Sequence, residues 1–447
     1  MDLFKVPEYA VKKAQSLGAN DVVVSAGRGN NQQIKFVNNE IAIIKDWNVE
    51  SAGIFLEINK RIISANIKNF AKQEIDHTLN KLIRFVKLLP PKEDFYGIAK
   101  GPFKYSKVDG LFDKRLVNFN KSVDVVQTAI NAGLSGGAKR VTGVFEVSND
   151  SNYAVSSNGL NSTEKGTNLS LSVRALLSKE SSGHKVFQSN VLTGFNPAKL
   201  ALQAGRFAKD SINPKQIKVG KYDILFLPLP LADLFGCVAG ATSIDSFESG
   251  MSFFNKVGQT VASPKFTLYD WANMPRGVDS YAFDSEGTPS QKTATIKNGV
   301  FKTYLHNYST AHKYKTKTTG NAGLGSPSPS NTYVVPGRAS QKSMIEQIKH
   351  GLIITNLWYT TFQNYQTGNF STIPRDAIFY VENGKVKHAV KDIRITENLI
   401  NVLKNIKEVG KDREQVYSWA AEPPSFGNNV VTPSVLCKNL NITKSRG

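Results

Sequence analysis

Residues 293–305 read TATIKNGVFKTYL, two β-type runs joined by Asn298-Gly299. An Asn-Gly pair supplies the two positive-φ positions of a type I′ turn, whose twist matches that of antiparallel strands. The device recurs at Asn383-Gly384, between AIFYV and KVKHAV. From Lys221 onward short β-type runs alternate with turn dipeptides, and helical spacing appears around 343–350 and 398–408. This predicts a β-rich, mostly antiparallel C-terminal domain over 216–447. Inside it, NAGLGSPSPSN (321–331) gathers Gly, Ser and Pro into one long loop.

Toward the N-terminus the period changes. Residues 6–17 have helical spacing, VVVSAGR and QQIKFVN are β-type, and Asn38-Asn39 and 50–52 read as breaks. GIFLEI (53–58) and RIISA (61–65) predict a hairpin across Asn59-Lys60. A helix over 70–88 follows and stops at Leu89-Pro90-Pro91. The plan then repeats: an amphipathic helix over 123–132 with Gly133 as its cap, strand candidates RVTGVFEVS, YAVSSN, NLSLSVRALL and KVFQSN, and a helix over 196–208. The expectation is an N-terminal α/β region, 1–215, of two tandem helix–strands–helix units (about 1–92 and 115–215) joined by a linker, 93–114. The whole chain is expected to be α+β.

At 447 residues the chain exceeds what one core supports, about 250–300 residues. Its 40% hydrophobic and 21% charged content is that of a folded globular protein. Two cysteines exclude a disulfide scaffold and a Cys-rich zinc module. No apolar run approaches the ~20 residues of a membrane span. The opening stretch, MDLFKVPEYAVKKAQSLGAND, lacks the apolar centre of a signal peptide. A cytoplasmic protein without a membrane partner is therefore expected. The net charge of +20 raises the question of nucleic acid. Lys, spread along the chain, outnumbers the Arg that reads phosphates and bases, so a solvated basic surface is expected instead.

The candidate chemistry is sparse. Gly133-Leu134-Ser135-Gly136-Gly137 matches G-x-S-x-G, but it follows a helix and precedes a strand, the reverse of a nucleophile elbow. None of the six histidines stands in an H-E-x-x-H setting; His306 and His312 lie six apart in a strand end and loop. Cys237, in LADLFGCVAGA, and Cys437 read as small buried hydrophobes. Asp279, Asp284 and Glu286, within RGVDSYAFDSEGTPSQ, are the one carboxylate cluster, an acid–base pair or an acidic turn. The residues alone define no self-sufficient active site.

Phrases of the second half nevertheless stand in a telling order: SFFNKVGQTVAS (252–263), MPRG (274–277), FDSEGT (283–288), NGVFKTYL (298–305), TGNAG (319–323), GNFS (368–371), NGKVKHAV and ENLINVLKNI. Together they resemble the TldD/PmbA family, whose members carry the labels modulator of gyrase and metallopeptidase. The resemblance implies the helix–strands–helix units already read in the first half. TldD-type members carry H-E-x-x-x-H on a helix after a strand and a proline-containing turn, with a later Cys as a further zinc ligand. The matching strand here is 223–227 and the turn 228–230, which places GCVAGA (236–241) on the motif, with Gly236, Cys237 and Ala241 at the His, Glu and His positions. The late Cys is replaced within SWAAEPPSFGNN.

This pattern is similar to the PmbA (TldE) branch. It implies a non-catalytic subunit with no cofactor of its own. That subunit would pair with a zinc-bearing TldD-type homologue, or with itself, and enclose unfolded or extended peptides. Thr319, Gly320 and Asn321 are the candidate peptide contacts. STIPRD (371–376) departs from the family's Gly-rich continuation; Ile373, Pro374 and Arg375 add bulk and stiffness there. Two alternatives stay open. One is an autonomous metallopeptidase joining His306 or His312, Cys237 and Asp284 or Glu286; the other is a homodimeric peptide-binding protein without peptidase activity.

Overall fold

Asn298 and Gly299 both hold positive φ, 49° and 79°, as the hairpin requires. In the computed structural model, which describes residues 1–323, 325–417 and 429–445, they join β9 (Lys292–Lys297) to β10 (Val300–Phe301). Asn383-Gly384 likewise joins β15 (Ile378–Glu382) to β16 (Lys385–Ala389). The chain is α+β and its sheets are mostly antiparallel.

The N-terminal half builds one sheet. Its elements are α1 (Val6–Ser16), β1 (Asp21–Val37), β2 (Glu40–Ile58), β3 (Arg61–Ile67) and α2 (Lys72–Val86), then α3 (Ser122–Ser135), β4 (Arg140–Ser156), β5 (Asn161–Leu176), β6 (Ser182–Ser189) and α4 (Pro197–Asp210). The strand order is β3-β2-β1-β4-β5-β6, so β1 and β4 lie side by side, antiparallel, and each set of three strands is half of the sheet. Alternate β1 residues carry the core. Val22, Val24 and Ala26 pack with α1 and α2, while Ile34 and Phe36 pack with α3 and α4. Val23 and Phe55 point the other way, onto Phe95 and Ile98 of the 93–114 segment and onto Phe283 of the second half.

Several local expectations are corrected. Residues 50–52 are not a break: β2 runs straight through, because Glu50, Ser51 and Ala52 pair with Arg28, Gly27 and Ala26 of β1. RVTGVFEVS and YAVSSN are parts of the single strand β4. The helix expected to stop at Gly133 continues to Ser135. Its glycines serve packing instead: a Cβ on Gly205 of α4 would lie 2.3 Å from the Gly133 carbonyl and 2.9 Å from the Gly136 Cα.

The second half contains β7 (Gly220–Phe226), α5 (Pro228–Ala241), α6 (Ile244–Glu248), β8 (Leu268–Trp271), α7 (Tyr308–Lys313), β11 (Thr332–Val334), α8 (Gln341–Glu346) and β12 (His350–Ile354). It continues with β13 (Leu357–Asn364), β14 (Asn369–Pro374), β17 (Ile393–Asn398), α9 (Leu399–Lys404), β18 (Ile406–Val409), β19 (Glu414–Tyr417), β20 (Asn429–Thr432) and β21 (Val435–Lys444). One sheet runs β13-β14-β17-β21-β7-β12-β15-β16, with β18 on β21; the other runs β10-β9-β8-β11-β20-β19. Residues 228–230, expected as a turn, are the first turn of α5, since proline at the first helical position loses no hydrogen bond and presets φ. Side chains from α5 and from both sheets share one core, including Phe235 and Val238 with Ile224, Leu268 and Val430. Burial all round explains why its sequence reads as an apolar run, interrupted by Asp233, rather than an amphipathic stripe. Among the described residues no helix is long and apolar enough to cross a membrane.

A buried polar cluster joins the halves. Arg174 of β5 donates from Nε to Asp376 Oδ1 at 2.8 Å, and Ser182 Oγ donates to the same oxygen at 2.7 Å. Asn356 Nδ2 donates to Asp376 Oδ2 at 2.7 Å and reaches His184 Nδ1 at 3.1 Å. The Asp376 side chain is wholly removed from solvent. Burial opposes its ionisation, yet the charge of Arg174 and the bonds from Asn356 and Ser182 hold its carboxyl below the usual range. Burial pushes the His184 imidazole down to about 4.

Removing the carboxylate leaves the part-buried Arg174 without its counter-charge. Asp376→Ala is therefore expected to lower stability by about 3 kcal/mol, read from the urea midpoint. His184 is neutral when folded but protonates below its ordinary ~6.5 when unfolded, so the unfolded chain binds the extra proton. Stability should then fall as pH drops from about 6.5 toward 4. His184→Gln should flatten that part of the slope in urea titrations across the window.

Candidate functional site

The end of α5 is the place to test for a metal centre. Gly236, Cys237 and Ala241 stand on its last turns, and a cavity of about 230 Å³ opens against Cys237, Gly240 and Ala241. Thr360, Thr361 and Phe362 of β13 form the facing wall, with Tyr365 beyond them; Ser246, Met251 and Phe253 complete the lining. Among the described residues no charged side chain lines this cavity.

The last carbonyls of the helix are already taken by neighbouring hydroxyls. Ser246 Oγ donates to the Gly240 carbonyl at 2.8 Å, Thr242 Oγ1 to Ala239 at 2.6 Å and Ser252 Oγ to Ala241 at 2.7 Å. These hydroxyls satisfy carbonyls that a helix end otherwise leaves unpaired. Burial, reinforced by the charge of Asp233, pushes the Cys237 thiol up to about 12. A metal ligand or nucleophile must be a thiolate, which this environment opposes. Gly236 and Ala241 offer no donor side chain. The residues at this position do not fit a zinc ion.

The other candidates do not converge on it. Among the described residues, no three His, Cys, Asp or Glu side chains gather closely enough to hold a metal ion. Asp284 is a turn clamp: Oδ1 accepts from the Glu286 and Thr288 amides at 3.0 and 2.9 Å, and Oδ2 from the Ala322 amide at 2.9 Å. Glu286 Oε2 accepts from the Tyr308 amide at 3.1 Å. Asp279 Oδ2 accepts from the Asn429 amide at 2.8 Å. His306 is buried with Nδ1 3.3 Å from Thr310 Oγ1. His312, expected in a loop, lies on α7 and stacks on Tyr96 at 4.3 Å between ring centres. Cys437 is a core residue of β21, and Ser135 is an exposed helix-end residue donating to the Ala132 carbonyl.

Thr319, Gly320 and Asn321 are buried and already engaged. Thr319 Oγ1 accepts from the His306 amide at 2.8 Å. Gly320, at φ 68°, accepts from the Tyr281 hydroxyl at 2.9 Å. Asn321 Nδ2 donates to Asp270 at 2.7 Å. Their geometry is that of an internal turn. Of SWAAEPPSFGNN, residues 418–428 lie outside the described residues.

One arrangement had no sequence signal because its members are scattered over 184 positions. Ser172 Oγ lies 2.9 Å from His184 Nε2, whose other nitrogen faces Asn356. It resembles a nucleophile–histidine–amide set, but the Asn356 amide nitrogen makes Nδ1 the acceptor. Nε2 then carries the proton and donates to Ser172, the opposite of activation. All three residues are buried.

Comparison with known proteins follows the same lines. The family description PmbA/TldA metallopeptidase C-terminal domain matches residues 219–444. Metalloprotease PmbA of Escherichia coli O157:H7 is 24% identical over 92% of this chain and 92% of that protein. Metalloprotease MJ0996 of Methanocaldococcus jannaschii is 31% identical, over 49% of this chain; the match spans about half of that protein's length. TldE from Thermococcus kodakarensis has the same fold, with a TM-score of 0.86 at 21% identity over 98% of this chain and 99% of that one. So has a Thermotoga maritima protein named as a modulator of a DNA gyrase, TM-score 0.86 at 22% identity over 98% and 99%.

Glu286 gives a separable prediction. Burial, and then the charge of Asp284, push its carboxyl up to about 8. The folded chain therefore holds a proton that the unfolded chain has released, and stability falls as pH rises from about 4.5 to 8. Glu286→Gln keeps an acceptor for the Tyr308 amide and removes the ionisation. Its stability gain over the parent should grow between pH 5 and pH 8, to at least about 1 kcal/mol by urea denaturation.

Proposed function

Since the chain belongs to the PmbA/TldD metallopeptidase family, we propose that it is the PmbA-type, non-catalytic subunit of a cytoplasmic peptidase acting on unfolded or extended peptides. It works as a heterodimer with a TldD-type homologue that carries the zinc. The observation behind this reading is the end of α5: Gly236, Cys237 and Ala241 supply no ligand pair, and hydroxyls already cap the carbonyls there. Zinc in the partner would supply the activated water; this chain's own part is to hold and orient the peptide.

Two surfaces support a subunit role. From Glu40 to Ser51, β2 pairs with β1 but not with β3, whose register begins at Ala52. Ile43, Ile44 and Val49 stand exposed along that edge. Exposed apolar residues on a long unpaired edge offer a template for pairing with another chain. β13 is likewise an edge of its sheet, and an edge strand binds an extended peptide through main-chain bonds indifferent to sequence.

The lone purified chain is expected to cleave neither unfolded casein nor a long flexible peptide, with or without added zinc. Mixed with its nearest H-E-x-x-x-H homologue it should form a stable dimer by light scattering and cleave both, an activity that a chelator removes. A lone chain that binds one zinc and cleaves would overturn the reading. A stable homodimer that binds peptide yet gains nothing from the homologue would replace it with the homodimeric peptide-binding alternative.

A further inference from the structure

Resting on the peptide-holding role, we propose that the cavity beside α5 is a pocket for one apolar, preferably aromatic, side chain of a peptide paired along β13. The space exists because Cys237, Gly240 and Ala241 are small. Its volume, about 230 Å³, exceeds the ~150 Å³ of an apolar cavity that admits benzene. It falls short of the ~300–1,000 Å³ of pockets for drug-sized ligands. One large side chain is the matching cargo.

The lining selects its chemistry. Phe362 stacks on Tyr365 with ring centres 5.0 Å apart and lies parallel to Phe253 at 6.4 Å, so three rings build one wall. An aromatic guest gains edge or offset contacts there beyond simple burial. Two of the lining hydroxyls are committed, Thr360 to Thr372 at 2.9 Å and Ser246 to the Gly240 carbonyl. An apolar guest strands neither of them, and Thr361 stands at an exposed position. A Lys or Glu side chain would lose its hydration and find no counter-charge.

The backbone places the guest. Among the described residues β13 pairs only with β14, so its outer edge is open beside the cavity. Its register is broken between Trp358 and Thr361, and Tyr359 holds φ 55°, a conformation rare for a bulky residue. A peptide added to this edge directs alternate side chains to one face of the sheet, and one of them reaches the mouth between Thr361 and Cys237.

The test compares fluorescein-labelled ten-residue Gly/Ser peptides with a single central Phe, Ala or Lys, by anisotropy on the full chain. The Phe peptide is expected to bind at least about tenfold tighter than the Ala peptide, and the Lys peptide no tighter than Ala. Cys237→Trp should abolish the Phe preference while leaving Ala-peptide affinity in place. Thr361→Glu, at an exposed position of β13, should do the same without filling the interior, which covers misfolding of the first variant. Equal affinity for Phe and Ala peptides, or a preference untouched by both variants, overturns the pocket while the peptide-holding reading survives. No binding of any of the three peptides overturns both.

Discussion

The carboxylate of Asp376 is the point through which the two halves of the molecule are held in one arrangement. It sits out of solvent between Arg174 and Ser182 on one side and Asn356 on the other. A buried carboxylate tolerates few geometries, because each lost partner leaves an uncompensated charge. That intolerance ties β5 and β6 to the segment between β14 and β15. Further ties act in the same sense: Lys185 to Glu414 at 2.7 Å, Gln188 to Asn429 at 2.6 Å, and Lys313 bridging Asp94 and Glu248. With the halves so placed, the 93–114 segment packs Phe95 and Ile98 against the sheet instead of spanning open solvent.

The same segment recasts the departure at residues 371–376. Pro374 pairs at the end of β14, Arg375 is exposed, and Asp376, at φ 60°, turns its carboxylate inward. In this chain STIPRD is an anchor between halves, built where the family resemblance implies a Gly-rich run. Along β13, the strand paired with β14, small residues on α5 leave an apolar space bordered by an open strand edge. Burial there favours neutral groups, which suits holding a side chain and opposes a metal or a thiolate.

Much was legible in the sequence for local reasons. The Asn-Gly turns and Asn59-Lys60 act through φ preferences within a few residues. VVVSAGR and QQIKFVN read as β-type runs, and the structure joins them in the single strand β1, whose alternate residues face the core. Errors arose where partners outvoted local pattern. Glu50, Ser51 and Ala52 look like a break, yet the long ladder to β1 carries β2 across them. α5 has no amphipathic stripe, since it is enclosed by both sheets, and its proline-led start read as a turn.

Composition, turn chemistry and the order of short phrases determined the α+β class, the tandem pattern of the first half and the family, because each depends on residues close together in the chain. That 236–241 holds neither His nor Glu was also legible from residue types alone. Only the tertiary structure decided what surrounds those positions. The cavity, the capped carbonyls of α5, the inward turn of Thr319, Gly320 and Asn321, and the cluster around Asp376 all join residues far apart in sequence. Their burial and hydrogen-bond partners follow from the packing of whole sheets, and no local propensity encodes which distant groups will meet.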